Sequence, residues 1–329
     1  MADLGVMTPA QEDATPCVVV ATIRDDMEIS ALSLRLAAQN VRLLRLNVDE
    51  LPDVDIVSYL DTLELVHGAE VLRPVLFWSR YLLHHPQRAA SEPRSLRGEI
   101  LGTYVSQHNS AFIRTIEELC PRRMNDGAAA TGRLAQQRVA ARSGIRVPGT
   151  TVTRDVARGS RRVHTHDEAK LIGKVVGEHW VEQPPGVLNG TFPRVLEPSI
   201  IRNLDVEPAP LIIQEFVPHV FELRVYAVGD DTLAYRVEGK SSAEALWTDI
   251  DDVQVSATTL SSAHAAAIGR LIRELNIDFG ALDLLVTESD ELVFLEVNLV
   301  GDWRYFEKAA GDTRVSDSVL HHIAMKVHT

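Results

Sequence analysis

The stretch Phe279–Asp302, FGALDLLVTESDELVFLEVNLVGD, sets two apolar runs on either side of Glu288-Ser289-Asp290-Glu291 and reads as an antiparallel hairpin. With Ser289-Asp290 as a two-residue turn, paired residue numbers sum to a constant and Asp283 falls opposite Glu296. Side chains alternate between faces along a strand. One face then carries Leu282, Leu284, Val286, Val293, Leu295 and Val297, and the other carries Asp283, Glu296 and Asn298 at one end. Cross-strand Cβ atoms lie about 5 Å apart, so two carboxylates there repel unless a cation or a proton intervenes. Two carboxylates and an amide oxygen form the hard, all-oxygen set that suits Mg²⁺. A solvated edge hairpin is the other reading of the same residues. Spacing alone leaves both open.

Composition narrows the class. A chain of 329 residues holds two or three domains of ordinary size, and 45% hydrophobic with 24% charged residues is a globular balance. The net charge of −13 argues against a general nucleic-acid binder, whose affinity rests on basic residues over phosphates. No apolar run approaches the roughly 20 residues of a membrane span, so no membrane partner is expected. Cys17 and Cys120 make no disulfide framework, which suits a reducing, cytoplasmic setting. Residues 1–16 are acidic, lack a signal-peptide pattern and read as a disordered tail.

Cys17–Thr22 reads as a buried strand, Asp25 or Asp26 as the cap of a helix carrying Ile29, Leu32 and Leu36, and Val41–Leu46 as a second strand. This βαβ pattern opens an α/β domain over 17–120. No Gly-rich turn follows the first strand, so a dinucleotide fingerprint is missing. Val71–Trp78 is a further strand, 84–97 a loop, and Ile100–Leu119 a helix stopped before Pro121. Residues 121–205 read as a small module, with a helix over Ala128–Ser143 and a strand around Ile145–Thr153. Only five of the 33 basic residues are lysines, and one of them, Lys174, precedes Val-Val-Gly and the polar loop EHWVEQPPGVLNGT. The last module, 206–329, contains the strand Leu211–Phe216, a hairpin of Glu222–Val228 and Thr232–Glu238, a helix over Ser261–Leu275, the opening hairpin and a final helix near Ser316–His322. A three-residue turn at Gly229-Asp230-Asp231 sets Arg224 opposite Arg236 on one face, where paired guanidinium groups favour an anion.

The order KVVG, QEFVP, ELRV, ALDLLV, FLEVN resembles the ATP-grasp ligases along nearly the whole chain, most specifically over 211–304. The Walker-type phosphate loop and the protein-kinase set are both missing. The elements VATIRDD, LLRLNVDELP, Trp78-Ser79-Arg80 and GRLAQQRVAARSGIRVPGTTVTRD look like the graspetide, or microviridin-type, maturases of ribosomal peptides. The resemblance implies an α/β and α+β architecture, an ATP-grasp fold behind an N-terminal pre-ATP-grasp domain. It also implies ATP and Mg²⁺, two ions as a rule, as cofactors, a ribosomal precursor peptide with acidic core residues as partner, and a homodimer. Lys174 would then bind nucleotide phosphates, Gln214, Glu215 and Val217 would meet the adenine, and Glu222 would hold the ribose. Arg224 and Arg236 would serve catalysis at the γ-phosphate and acyl-phosphate, and Asp283, Glu296 and Asn298 would ligate metal. Arg133 stands where these families usually carry a second nucleotide-binding lysine. At 245–252, where many of them carry Asp-Trp-Arg, this chain has Ala-Leu-Trp-Thr-Asp-Ile-Asp-Asp. The implied activity joins a side-chain carboxylate to a hydroxyl or amine, giving lactones or lactams. A ligase for a small molecule or protein C-terminus and a non-catalytic ATP-binding peptide module are the competing readings.

Overall fold

The computed structural model of the chain describes residues 14–58, 62–81, 96–128, 132–163, 170–176, 180–182, 188–190, 193–197, 206–239 and 253–328. The N-terminal part opens as β1 (Thr15–Thr22), α1 (Met27–Ala37) and β2 (Arg42–Asn47), with β1 and β2 parallel. Asp26 is the cap: its carboxylate accepts from the Ile29 N–H at 3.0 Å, an arrangement that stabilises a helix by about 1 kcal/mol. Two short strands that escaped the hydrophobic pattern follow, β3 (Asp55–Ser58) and β4 (Leu63–His67). They extend the sheet antiparallel from β5 (Glu70–Ser79), in the order β2-β1-β5-β4-β3. Helix α2 (Leu96–Leu119) begins four residues before the periodicity suggested, and most of the loop expected at 84–97 lies outside the described residues.

A second sheet, in the order β10-β7-β11-β6, is built from β6 (Thr150–Asp155), β7 (Leu171–Val175), β10 (Arg194–Leu196) and β11 (Val206–Glu215). Helix α4 (Val156–Val163) packs on it through Val156, against Leu171 and Ile213. A separate ribbon pairs β8 (Trp180–Glu182) with β9 (Leu188–Gly190). Residues 206–215, grouped above with the C-terminal module, therefore hydrogen-bond into the middle sheet. The change of sheet falls after Glu215.

The third sheet runs β14-β13-β12-β15-β16. Its strands are β12 (Phe221–Val228), β13 (Asp231–Glu238), β14 (Gln254–Thr258), β15 (Phe279–Val286) and β16 (Leu292–Asn298). One face packs on α3 (Arg133–Arg142) and α5 (Ser262–Leu275) through Val139, Ile268, Leu271, Leu282 and Leu284. The other face meets α6 (Arg304–Ala310), α7 (Arg314–His328) and the N-terminal sheet. There Tyr226, Tyr235, Phe279 and Trp303 share one cluster with Val18, Val20 and Trp78. The N-terminal unit and this sheet thus have a common core.

Two registers differ from the sequence reading. Strands β12 and β13 join through Gly229-Asp230 alone, so Leu223 pairs with Arg236 and Arg224 pairs with Tyr235. The same-face pairing of Arg224 with Arg236 is corrected: a one-residue shift turns the side chain to the other face of the sheet. Gly229 permits the tight turn at φ 56°, against the His322 ring, where a Cβ would lie 2.5 Å from Nδ1. Between β15 and β16 the turn spans 287–291, with Asp290 at φ 60°. That shifts Leu284 opposite Phe294, and a bulge at Leu295 then restores Asp283 opposite Glu296. Consequently Val293 and Leu295 leave the core face assigned to them and pack with Leu285 and Val217.

Candidate active site

The site grows from a single cross-strand row. Tyr235, Arg224, Asp283 and Glu296 sit side by side on β13, β12, β15 and β16. Arg224 donates from Nη1 to both carboxylate oxygens of Asp283 at 2.8 and 2.9 Å, and from Nε to the Tyr226 hydroxyl at 3.3 Å. Its guanidinium lies over the rings of Tyr226 and Phe306, 5.4 and 5.3 Å from their centroids. Burial opposes the charge on Arg224, yet the adjacent Asp283 and Tyr226 outweigh it and raise the pKa, so the group is a permanent cation. Only 11% of the Arg224 side chain is exposed, against 33% for Asp283, so the carboxylate faces outward from the row.

Glu222 lies one row along on the same face, opposite Leu285. Leu285 is in turn opposite Val293, and both pack with Val217 and Leu295. This apolar floor beside the charged row was not anticipated. It arises because the Leu295 bulge turns apolar residues of β16 toward the Asp283 face. In the other direction along the strands comes Asn298, opposite Ala281. Its amide oxygen accepts from the N–H groups of Val300 and Gly301 at 2.9 and 3.2 Å, fixing the turn that leaves the strand.

Helix α3 and the middle sheet bring positive charge to this face. Arg133, at the start of α3, donates from Nε to Glu296 at 2.5 Å and from Nη1 to the Val175 carbonyl at 2.7 Å. It therefore ties the site to the strand that holds Lys174. Helix α3 is itself pinned by buried Gln136, whose amide exchanges hydrogen bonds of 3.0 and 3.1 Å with the Val297 backbone. Burial lowers the Lys174 pKa, aided by Arg133, while Glu296, Asp283 and Glu222 oppose the shift. Lys174, Arg133, Glu296, Asp283 and Glu222 are thus electrostatic neighbours, although more than 40 residues separate Arg133 from Lys174 and more than 100 separate Lys174 from Asp283.

Gln214 shares the Lys174 face of the middle sheet, is buried, and donates to the Thr150 hydroxyl at 3.1 Å. Glu215 is turned to the opposite face. Its carboxylate accepts from Arg146 at 2.9 Å and from the Gly149 N–H at 3.0 Å. Arg236, on the far face of the third sheet, stacks 3.8 Å above the Phe221 ring and pairs with Glu238 at 2.7 Å. The structure thus gathers Arg133, Lys174, Glu222, Arg224, Asp283 and Glu296, with Asn298 at the strand end. It leaves the side chains of Glu215 and Arg236 elsewhere. Residues 245–252 lie outside the described residues.

Sequence reasoning also missed what supports the row. The Tyr226 hydroxyl donates to the Asp302 carbonyl at 2.5 Å. Fully buried Arg80 donates to Asp26 at 2.8 Å, to the Val300 carbonyl at 2.7 Å and to the Asp302 carboxylate at 3.2 Å. Trp78 and Trp303 flank its guanidinium at 5.2 and 5.1 Å. The N-terminal domain thereby holds the loop behind Asn298 in place. The alternation of Arg224 and Tyr226 on one strand face was the available signal for the tyrosine.

The donor set fits a hard divalent cation. Asp283 and Glu296 present carboxylates side by side, each oxygen keeps lone pairs beyond its bond to an arginine, and nearby basic groups limit the repulsion between them. No family model matches the sequence, and no curated protein matches it. Solved structures do. Macrocyclase MdnC from Microcystis aeruginosa MRC, bound with precursor peptide MdnA, superposes with a TM-score of 0.75 at 18% identity over 94% of this chain and 99% of that one. A Chryseobacterium gregarium RiPP-associated ATP-grasp ligase, in complex with ADP and a leader and core peptide, gives 0.73 at 20% identity over 95% and 97%. ATP-grasp ligase PsnB complexed with minimal precursor, Mg and ADP gives 0.70 at 18% over 93% and 96%. At such identities the likeness establishes the architecture: the chain has the ATP-grasp fold, matched over 93% to 95% of its length.

Proposed function

We propose that the chain is an ATP-dependent ligase that joins a side-chain carboxylate of a ribosomal precursor peptide to a hydroxyl or amine. The observation that carries this reading is the row Arg224–Asp283–Glu296, with Arg133 brought to it from the start of α3 and Lys174 from the middle sheet. Cations of two sheets converging on paired carboxylates suit a polyphosphate with its counter-ion. Lys174 and Arg133 bind the phosphates, and the floor of Val217, Leu285 and Val293 takes the base beside Gln214 and the hinge backbone at Glu215. Glu222 accepts from the ribose hydroxyls. Asp283, Glu296 and Asn298 would hold Mg²⁺, which when bound neutralises charge on the β- and γ-phosphates.

In this reading an oxygen of the peptide carboxylate attacks the γ-phosphorus, the bond to the bridging oxygen breaks, and ADP leaves. The hydroxyl or amine then attacks the acyl carbon and gives up its proton to solvent, the bond to the phosphate oxygen breaks, and inorganic phosphate departs. Arg224, held rigid by Asp283, Tyr226 and Phe306, stabilises charge on the transferring phosphoryl group without reorganising. The structural neighbours crystallised with precursor peptides and with ADP support a peptide substrate and this cleavage of ATP. Homodimerisation belongs to the same proposal.

Hydroxylamine trapping tests the chemistry. With ATP, Mg²⁺ and an acidic peptide, hydroxylamine should convert an Asp or Glu side chain to a hydroxamate with stoichiometric ADP. Release of AMP would replace the acyl-phosphate by an acyl-adenylate. A hydroxamate formed only on free amino acids would favour the small-molecule ligase.

A further inference from the structure

The middle sheet carries a second feature that the nucleotide site does not use. Between residues 133 and 163 there are eight arginines and one acidic residue, Asp155, in a chain of net charge −13. Several of these arginines meet where α4 lies on β6. Gly159 makes the approach possible: a Cβ there would fall 2.5 Å from the Thr153 methyl. The open crevice alongside has a volume of about 320 Å³ and is lined by Thr151, Thr153, Arg154, Arg158, Arg162 and Pro210. That volume is within the range of small binding pockets.

Arg158 and Arg162 are four residues apart, so their side chains share one face of α4, where like charges cost rather than gain. Asp155 does little to balance them. One of its oxygens accepts from the Arg158 backbone N–H at 2.8 Å, the other lies 3.8 Å from the Arg158 Nε, and the Arg158 side chain is 63% exposed. Among the described residues, β6 is the edge of its sheet and pairs with β11 alone, so its outer edge presents backbone donors and acceptors.

The geometry points to this crevice as a docking site for an extended, carboxylate-rich peptide segment, laid along the β6 edge with its acidic side chains between Arg158 and Arg162. Edge pairing supplies affinity through the main chain, and alternate side chains supply selectivity. Arginine rather than lysine suits carboxylates, which its planar fork binds in pairs. The remainder of the molecule repels an acidic chain, so a local basic surface is what gathers one, here on the face of the middle sheet opposite Lys174. Nucleic acid is the less fitting occupant, because its affinity grows with the number of phosphates neutralised and the surrounding surface is acidic. The proposal rests on the peptide-ligase reading and names how the acidic substrate is held outside the nucleotide site.

Fluorescence anisotropy of the full-length protein with a labelled decapeptide of alternating glutamate and threonine tests it. R158E/R162E should bind this peptide about tenfold more weakly than R73E/R273E, a distant double reversal with the same change in net charge. ATP affinity should be equal in the two variants. Equal peptide affinity in both variants overturns the docking site. So does undiminished binding of the decapeptide with glutamine in place of glutamate, or tighter, arginine-dependent binding of a thymidine oligonucleotide. Failure of the wild-type protein to bind ATP, with the arginine-dependent peptide binding intact, refutes the ligase reading and upholds the site.

Discussion

Asp283 and Glu296 are held by different partners, and that decides how each should be tested. Removing the Asp283 side chain leaves Arg224 buried without its counter-charge, a loss that costs about 3–5 kcal/mol in comparable buried pairs. Asp283→Asn keeps an acceptor and is the better probe. Glu296→Gln weakens its bond to Arg133, both side chains being partly exposed. Each substitution should cut ATP turnover by about 10²-fold or more while circular dichroism and thermal unfolding show an intact fold. Wild-type turnover in both variants would refute the metal assignment. Lys174 provides a pH signature. Its pKa is lowered from 10.5, chiefly by burial, so the ammonium is lost below the ordinary lysine range. Nucleotide affinity, measured by titration, should fall as pH rises through that lowered value. Lys174→Arg, which stays charged, should show no such fall over the same interval.

The two C-terminal hairpins show how much turned on one residue. In β15–β16 the turn is longer than Ser289-Asp290, yet the Leu295 bulge compensates, so the pairing of Asp283 with Glu296 was readable from spacing. The faces of Val293 and Leu295 were not readable, because nothing in an unbroken apolar run marks a bulge. In β12–β13, Gly229-Asp230-Asp231 serves a two-residue or a three-residue turn equally well, and the chain takes the shorter one, with Gly229 packed against His322. That choice moves Arg236 to the far face. Arg236→Ala should therefore leave the rate of phosphate release near the wild-type value, whereas Arg224→Lys should lower it by about 10²-fold or more, since a lysine cannot reproduce the guanidinium fork. Equal losses in the two would restore Arg236 to the site.

Across the whole molecule, contacts distant in sequence set the cleft. The βαβ opening, the α5 helix and the strands around the hinge follow from local pattern. The shared core of Trp78, Phe279 and Trp303, and the buried Arg80 behind the Asn298 turn, depend on pairings that no local window contains. Asp278 is a latch of this kind. It accepts from the Asn125 N–H at 2.9 Å and from Lys326 at 2.9 Å, joining the start of the middle module to α7 beside β15. Burial alone would raise its pKa, but the His322 ring 3.6 Å away and the bonds from Lys326 and Asn125 lower it from 3.8 to about 2. A carboxyl depressed on folding stabilises the native state above its unfolded value and loses that contribution as pH falls through its folded value. Stability from this latch should be complete above about pH 4 and vanish toward pH 2. Asp278→Asn should unfold at lower denaturant near neutral pH and differ less from wild type near pH 2. A difference independent of pH would assign the latch to packing.

We propose that the middle and third sheets form the cleft of an ATP-dependent peptide ligase. Mass spectrometry of an acidic, threonine- or lysine-containing precursor peptide, incubated with the protein, ATP and Mg²⁺, tests it most directly. The expected product is lighter by one water for each bond formed, with one ADP released per bond and neither seen with Glu296→Gln. ATP bound without turnover, or hydrolysed with the peptide mass unchanged, would contradict it.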